Sequence, residues 1–228
     1  MSLDREIEAR FTKLGGVFLT PVGTLRERLA GIRGIVSDWD GVFNDGAKGD
    51  ASASTYNEPD SMGTNLVRYA LWRAHGALPV VALITGADNP AAREFARREH
   101  FHAIYHGARN KTPAIGAFCA SQGVSSEQLL CLFDDVNDLG MAFACGVRVL
   151  VRRTASPLLL DYVMRQNLCD YVTGHSSSTH AVREACELVL GLLGSFDEVV
   201  ASRVAWDADY ARYFAARQSV VTDVIDGR

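Results

Sequence analysis

The sequence predicts an α/β fold, a doubly wound parallel sheet covered by helices on both faces. Three observations carry this expectation. Near-continuous apolar, β-rich runs alternate with segments of helical periodicity. Three of the runs stop at carboxylates or at a hydroxyl-glycine pair. Parallel neighbours need right-handed crossovers, and the intervening helical segments are long enough to supply them.

The first strand is expected at 32–37, ending in Asp38-Trp39-Asp40-Gly41, with a helix over 62–75. A second strand at 78–84 stops at Thr85-Gly86. The next helix, 90–100, opens with Pro90 behind Asn89, where the missing proline N–H costs nothing and the Asn can cap. A weaker strand at 102–105 leads to a helix at 112–121, with Lys111 at its start. Strands at 129–133 and 147–151 follow, the former ending in Asp134-Asp135. Ser156-Pro157 opens a helix over 156–166, and a short strand at 170–173 precedes the last helix of the sheet region, 179–193. Trp72, Phe95 and Phe118 sit on these helices as core residues. The chain then divides into an N-terminal extension, 1–31, a central domain, 32–193, and a helical C-terminal extension, 194–228. The aromatic residues Trp206, Tyr210, Tyr213 and Phe214 of that extension are expected to pack on this subunit or on a neighbour.

Composition narrows the function. The 228 residues are 48% apolar and 22% charged, and 27 acidic against 23 basic residues give a formal charge of −4. A mild negative charge argues against nucleic acid or an anionic membrane as the main partner. No segment approaches the roughly 20 apolar residues of a membrane span. Five scattered cysteines, none in a C-x-x-C pair, read as small buried thiols. With a charged N-terminus lacking an apolar signal core, they point to the cytoplasm. The lysines are only Lys13, Lys48 and Lys111. His100, His102 and His106 straddle a helix-to-strand junction and read as surface or capping histidines.

In open α/β sheets, ligands bind beyond the carboxyl ends of the strands. Asp38, Asp40, Thr85, Gly86, Lys111, Asp134, Asp135 and Asp138 should therefore meet on one edge. Asp38 and Asp40, two apart, can point the same way. Adding Asp134 crowds three carboxylates, which repel unless a cation sits among them. An oxygen-only ligand set favours a hard ion, Mg²⁺ over Zn²⁺, and Mg²⁺ keeps room for phosphate oxygens. Thr85, the Gly86 amide and Lys111 supply donors for a phosphoryl group. One carboxylate can then act as nucleophile, and the second as the acid that protonates the leaving oxygen, its pKa raised by neighbouring negative charge.

Ile35-Val-Ser-Asp38-Trp-Asp40-Gly-Val-Phe, Ile84-Thr85-Gly86, Lys111 and Asp134-Asp-Val-Asn137-Asp138-Leu resemble, in order, the four motifs of the haloacid dehalogenase-like superfamily. Asp40-Gly-Val-Phe-Asn-Asp-Gly, Tyr105-His-Gly-Ala-Arg-Asn-Lys111, Asp170-Tyr-Val-Thr and Ala181-Val-Arg-Glu are similar to segments of the 3-deoxy-D-manno-octulosonate 8-phosphate phosphatases and their acylneuraminate-associated relatives. The resemblance implies a Rossmann-like core and hydrolysis of a small-molecule phosphate ester, a phosphorylated sugar or sugar acid. It implies Asp38 as nucleophile, forming an aspartyl-phosphate, and Asp40 as acid and base. Thr85, Gly86 and Lys111 would hold the phosphoryl group. Mg²⁺ would sit on Asp38, the Asp40 backbone carbonyl and Asp134, with Asp135, Asn137 and Asp138 in or just behind its ligand set. A phosphomutase would use the same residues, and a non-catalytic oligomerisation or binding module of the same fold is the contrasting reading.

The spacings between motifs leave no room for the cap domain that covers many superfamily sites. The resemblance implies closure by subunits of a homotetramer, with a β-hairpin flap after the first motif. The segment 44–57 has the turn content for that flap. Four positions depart from the subgroup. Ala87 stands where Arg is common after Thr85-Gly86, and Pro59-Asp60 lacks a preceding Arg. Ser176-Ser-Ser-Thr-His180 replaces a glycine-rich stretch, and Phe133 replaces a Gly. The first two changes remove positive charge that could meet a sugar-acid carboxylate.

Overall fold

A computed structural model describes residues 2–48 and 55–228. The chain runs α1 (Leu3–Lys13), β1 (Val17–Phe18), α2 (Val22–Ala30), β2 (Gly34–Ser37), α3 (Glu58–His75) and β3 (Val80–Ile84). It continues through α4 (Pro90–Arg98), β4 (Ala103–His106), α5 (Lys111–Gln122), β5 (Leu129–Phe133), α6 (Leu139–Ala144) and β6 (Val147–Leu150). The last elements are α7 (Pro157–Arg165), β7 (Tyr171–Val172), α8 (Ala181–Leu192), α9 (Phe196–Ala205), α10 (Ala208–Gln218) and β8 (Asp223–Asp226).

These strands form one sheet in the order β1-β7-β6-β5-β2-β3-β4-β8. Every neighbouring pair is parallel except β1 against β7. The doubly wound expectation is met, and the apolar alternation explains how. Ile35, Val81, Leu83, Leu130, Leu132 and Val149 face one core with α1 to α4 and α8. Val36, Ala82, Ile84, Leu129, Cys131 and Phe133 face a second core with α5, α6 and α7. Both faces are thus buried, which is why the runs read as continuous rather than alternating. Phe95 and Phe118 are fully buried, one in each core, and Trp72 packs at the margin of the first. Burying a side chain of that size stabilises the fold by roughly 1.5–3 kcal/mol.

Caps set the helix boundaries. The Asn89 side chain accepts from the Ala91 N–H at 3.0 Å, with Pro90 in the first turn, and Asn110 accepts from the Thr112 N–H at 3.2 Å. The second cap matters most here, because it fixes the helix start that carries Lys111.

Sequence reading placed no strand in either terminal segment, yet both join the sheet. β1 extends one edge and is tied down through Asp170. That buried carboxylate accepts from Thr20 Oγ1 at 2.6 Å, from the Arg148 backbone N–H at 2.8 Å, and from the Arg148 and Arg28 guanidiniums at 3.0 Å. β8 covers the other edge, pairing Asp223–Asp226 with Ala103–His106. The helices before it pack Tyr210 and Tyr213 onto Tyr69 of α3. Two- and four-residue strands have too little periodicity to announce themselves, and their pairing is non-local.

Between Asp40 and Thr85 the described residues hold only α3 and β3, and between Thr85 and Lys111 only α4 and β4, so no cap domain is inserted among the described residues. The expected flap at 44–57 centres on 49–54, outside the described residues. Its flanks, 45–48 and 55–57, have no regular structure. Among the described residues no helix is long and apolar enough to cross a membrane. All five cysteines are unpaired, four of them buried.

Candidate active site

β2 lies between β3 and β5, both parallel to it, so the chain leaves the sheet in opposite directions on either side of β2. A crevice opens at the carboxyl ends of strands at such a point. Ser37 registers with Leu83 of β3 and Leu132 of β5, which brings the residues just beyond each strand together. The resulting cavity, about 520 Å³, is lined by Asp38, Asp40, Thr85, Gly86, Lys111, Asp134, Asp135, Asn137 and Asp138. All nine sequence-derived site residues therefore meet in one place.

Asp38, Lys111 and Asp134 are 7%, 3% and 1% exposed. The Lys111 ammonium donates to Asp38 Oδ1 and lies 2.6 Å from Asp138 Oδ1. Asp138 also accepts from the Asp134 and Asp135 backbone N–H groups, both at 3.2 Å. It therefore shapes the loop that presents Asp134 while sharing the lysine. Asp135 caps the short turn at Val136–Asp138, accepting from the Val136 N–H at 2.7 Å. Thr85 is buried, held by its N–H to Tyr105 O at 2.9 Å and by its carbonyl to the Ala108 N–H at 3.0 Å. Gly86 and Asn137 are exposed on the rim. Trp39, between the two acids, points away into the core and stacks on Phe43 with ring centroids 5.4 Å apart. The backbone then turns at Gly41, whose φ of +93° only glycine adopts readily.

Carboxylate oxygens of Asp38, Asp134 and Asp138 lie within 4.8 Å of one another, a grouping that could hold a metal ion. Asp134 Oδ1 is buried with no hydrogen-bond partner. Three converging carboxylates and an orphaned buried oxygen fit a hard divalent cation. Burial pushes the Asp38 carboxyl up to about 8, against the opposing pull of Lys111 and with help from Asp138. Burial likewise lifts Asp134 to about 6, opposed by Arg153. Burial disfavours the Lys111 ammonium, but Asp38 and Asp138 outweigh it and its pKa rises.

The sequence led us to expect negative neighbours around Asp40. The structure places the Lys48 ammonium 3.1 Å from its Oδ2.

Five further residues line the cavity, Gly46, Lys48, Ala108, Arg109 and Arg153, and none is among the catalytic, phosphate-binding or metal-binding residues expected from the sequence. The signal for Arg153 was available, since Arg152-Arg153 follows the carboxyl end of β6, but an Arg pair on a loop has no spacing signature. Ala87 also lines the cavity, leaving the motif-two loop uncharged there. Two of the three histidines bond to backbone outside the cavity: His102 Nδ1 accepts from the Val81 N–H at 3.2 Å, and His100 Nδ1 lies 2.9 Å from Val220 O.

No family model matches the chain. In sequence it is similar to the 3-deoxy-D-manno-octulosonate 8-phosphate phosphatase KdsC of Salmonella typhi, 28% identical over 183 residues, 78% of this chain and 90% of that protein. In structure it is similar to the cobalt-bound deoxy-D-mannose-octulosonate 8-phosphate phosphatase of Haemophilus influenzae. That match has a TM-score of 0.62 and 25% identity, and covers 73% of this chain and 92% of that one. A structure from Legionella pneumophila described as a hydrolase of the HAD superfamily shares the fold, with a TM-score of 0.66 at 22% identity over 80% of this chain and 95% of that one.

Proposed function

We propose that this phosphatase, a homologue of the 3-deoxy-D-manno-octulosonate 8-phosphate phosphatases with a haloacid dehalogenase-like fold, hydrolyses a phosphorylated sugar or sugar acid through an aspartyl-phosphate. The observation that carries the reading is Lys111, bridging Asp38 and Asp138 inside a strand-end pocket that also holds Asp134.

Asp38, the Asp40 backbone carbonyl and Asp134 would hold Mg²⁺, with Asp138, Asp135 and Asn137 behind or beside them. When bound, the ion offsets the negative charge of the phosphoryl oxygens and the attacking carboxylate. The chain's own groups do the rest. Asp38 Oδ attacks phosphorus in line with the ester oxygen; the Oδ–P bond forms as the P–O ester bond breaks. Asp40 gives its proton to the departing oxygen, so the product leaves as an alcohol. The resulting Asp40 carboxylate then takes a proton from water, whose oxygen attacks phosphorus and frees Asp38 and inorganic phosphate. Lys111 compensates charge on Asp38 and the phosphoryl group throughout. Thr85 Oγ1 and the Gly86 N–H hold the equatorial oxygens, so the geometry is prepared before reaction.

Among the described residues no cap domain covers the pocket, and closure by a neighbouring subunit of a homotetramer is part of the proposal. Val136 and Phe143, 62% and 76% exposed, flank the Asp138 turn and are apolar enough to be covered. The unpaired cysteines suit a reducing compartment, so the cytoplasm is the proposed location.

The test is Mg²⁺-dependent phosphate release from a panel of sugar and sugar-acid phosphates, with acid-quench trapping of labelled phosphoenzyme. Wild type should trap label and turn over, whereas Asp38→Asn should do neither. Turnover that survives Asp38→Asn refutes the mechanism.

A further inference from the structure

Arg153 takes no part in the steps above. It rises from the loop after β6 beside Arg152, whose role is anchoring. Arg152 donates its backbone N–H to Thr173 Oγ1 at 2.9 Å, Nε to Thr173 O at 2.7 Å and Nη2 to Gly15 O at 2.8 Å. Arg153 instead reaches back into the catalytic cavity, where Nη2 donates to Asp134 Oδ2. Asp134 is 1% exposed and the Arg153 side chain 38%, so the guanidinium neutralises a buried carboxylate from the solvent side.

Two glycines locate that nitrogen. A Cβ on Gly41 would collide with both Asp134 Oδ2 and Arg153 Nη2. A Cβ on Gly46 would stand 3.9 Å from the same nitrogen and 3.9 Å from the Asp40 carbonyl carbon. Nη2 thus sits against the Asp40–Gly41 backbone beside Asp134, and the guanidinium also feels the charges of Asp135 and Asp38. In the proposed chemistry Asp38, the Asp40 backbone carbonyl and Asp134 would hold a divalent ion. A guanidinium has only donors and cannot ligate a cation; with Nη2 on Asp134 Oδ2 and Oδ1 left without a partner, an ion on Oδ1 would set two positive charges against each other on one carboxylate. A long stem with a partly solvated head lets the arginine leave without needing a new protein partner.

We infer that Arg153 and the divalent cation are rival counter-charges for Asp134: the guanidinium covers that carboxylate from the solvent side, and an ion held there would displace it toward solvent. This rests on the reading that the pocket takes Mg²⁺. It makes Arg153 a positioning residue that sets the ion's affinity and offsets the charge of Asp134.

The test is calorimetric titration of Mg²⁺ into the metal-stripped full chain as wild type, Arg153→Met and Arg153→Lys, at one pH and ionic strength. Arg153→Met should bind Mg²⁺ roughly 10- to 100-fold tighter, because the ion no longer breaks a charge-assisted hydrogen bond. Arg153→Lys keeps the charge and should stay near wild type. Without metal, Arg153→Met should unfold at lower temperature than wild type, and saturating Mg²⁺ should close that gap. If Arg153→Met binds Mg²⁺ as wild type does, or more weakly, the guanidinium supports the ion and the inference is overturned. If wild type binds no Mg²⁺, the reading of the pocket fails with it, an outcome distinct from the first.

Discussion

Metal binding to this pocket should be coupled to proton release near neutral pH. The perturbation is pH itself, between 6 and 8, with Mg²⁺ titrated into metal-stripped protein. Burial raises the Asp38 carboxyl to about 8 and that of Asp134 to about 6. A cation binds the ionised carboxylates, so it must expel whatever proton they hold. From pH 6 to 8 the ionised fraction of Asp38 rises from about one in a hundred to about one half, roughly 50-fold, and that of Asp134 about doubles. The apparent affinity for Mg²⁺ should therefore tighten about 100-fold, worth ~2.7 kcal/mol at 1.36 kcal/mol per tenfold step. An ordinary exposed carboxylate site would change by almost nothing over the same range. Stability should follow with a defined sign. A carboxyl raised from 3.8 to about 8 binds a proton in the folded chain that the unfolded chain has already lost. Metal-free protein should then lose stability as pH rises between those values, while the stabilisation by Mg²⁺ grows. Calorimetry in two buffers of different ionisation enthalpy reads both quantities, and about one proton per ion should appear at pH 7. An affinity changing less than threefold between pH 6 and 8 would mean Lys111 keeps Asp38 ionised in the empty pocket, and the coupling argument would fail.

Gly41→Ala should damage the site selectively, since its Cβ would enter the space of Asp134 Oδ2 at a φ of +93°. Mg²⁺ affinity and turnover should both fall by at least tenfold in the same titration and phosphate-release assays, and wild-type behaviour would contradict the geometry. Asp170→Asn should cost about 3–5 kcal/mol in urea unfolding, because it leaves the Arg148 guanidinium buried without its carboxylate. Turnover per folded molecule should stay unchanged, as Asp170 lies outside the catalytic cavity. A chain ending at Ser219 lacks β8 and bares the edge of β4. Light scattering should then show concentration-dependent association beyond that of the full chain.

Much of this was legible because the chemistry-bearing residues follow strand ends. Asp38, Thr85 and Asp134 each stand immediately after a run whose apolar continuity already said buried parallel strand. Their convergence then follows from sheet geometry. Lys111 was legible as a helix start, made specific by the shortage of lysines in the chain. What stayed hidden lay where pairing is non-local or a loop bends back. β1 and β8 are short and join the sheet through partners far away in sequence. Lys48 reaches Asp40 from the segment after the first motif, and Arg153 reaches Asp134 from the loop after β6.

The sequence by itself determined the strand-helix alternation, the two-sided burial and the order of the candidate site residues, because periodicity and strand-end position are local properties of a chain. Tertiary structure alone decided which cation faces which carboxylate, and so which carboxyls are lifted toward neutral pH. Burial and charge pairing depend on distances across the fold, and those exist only once separate strands lie side by side.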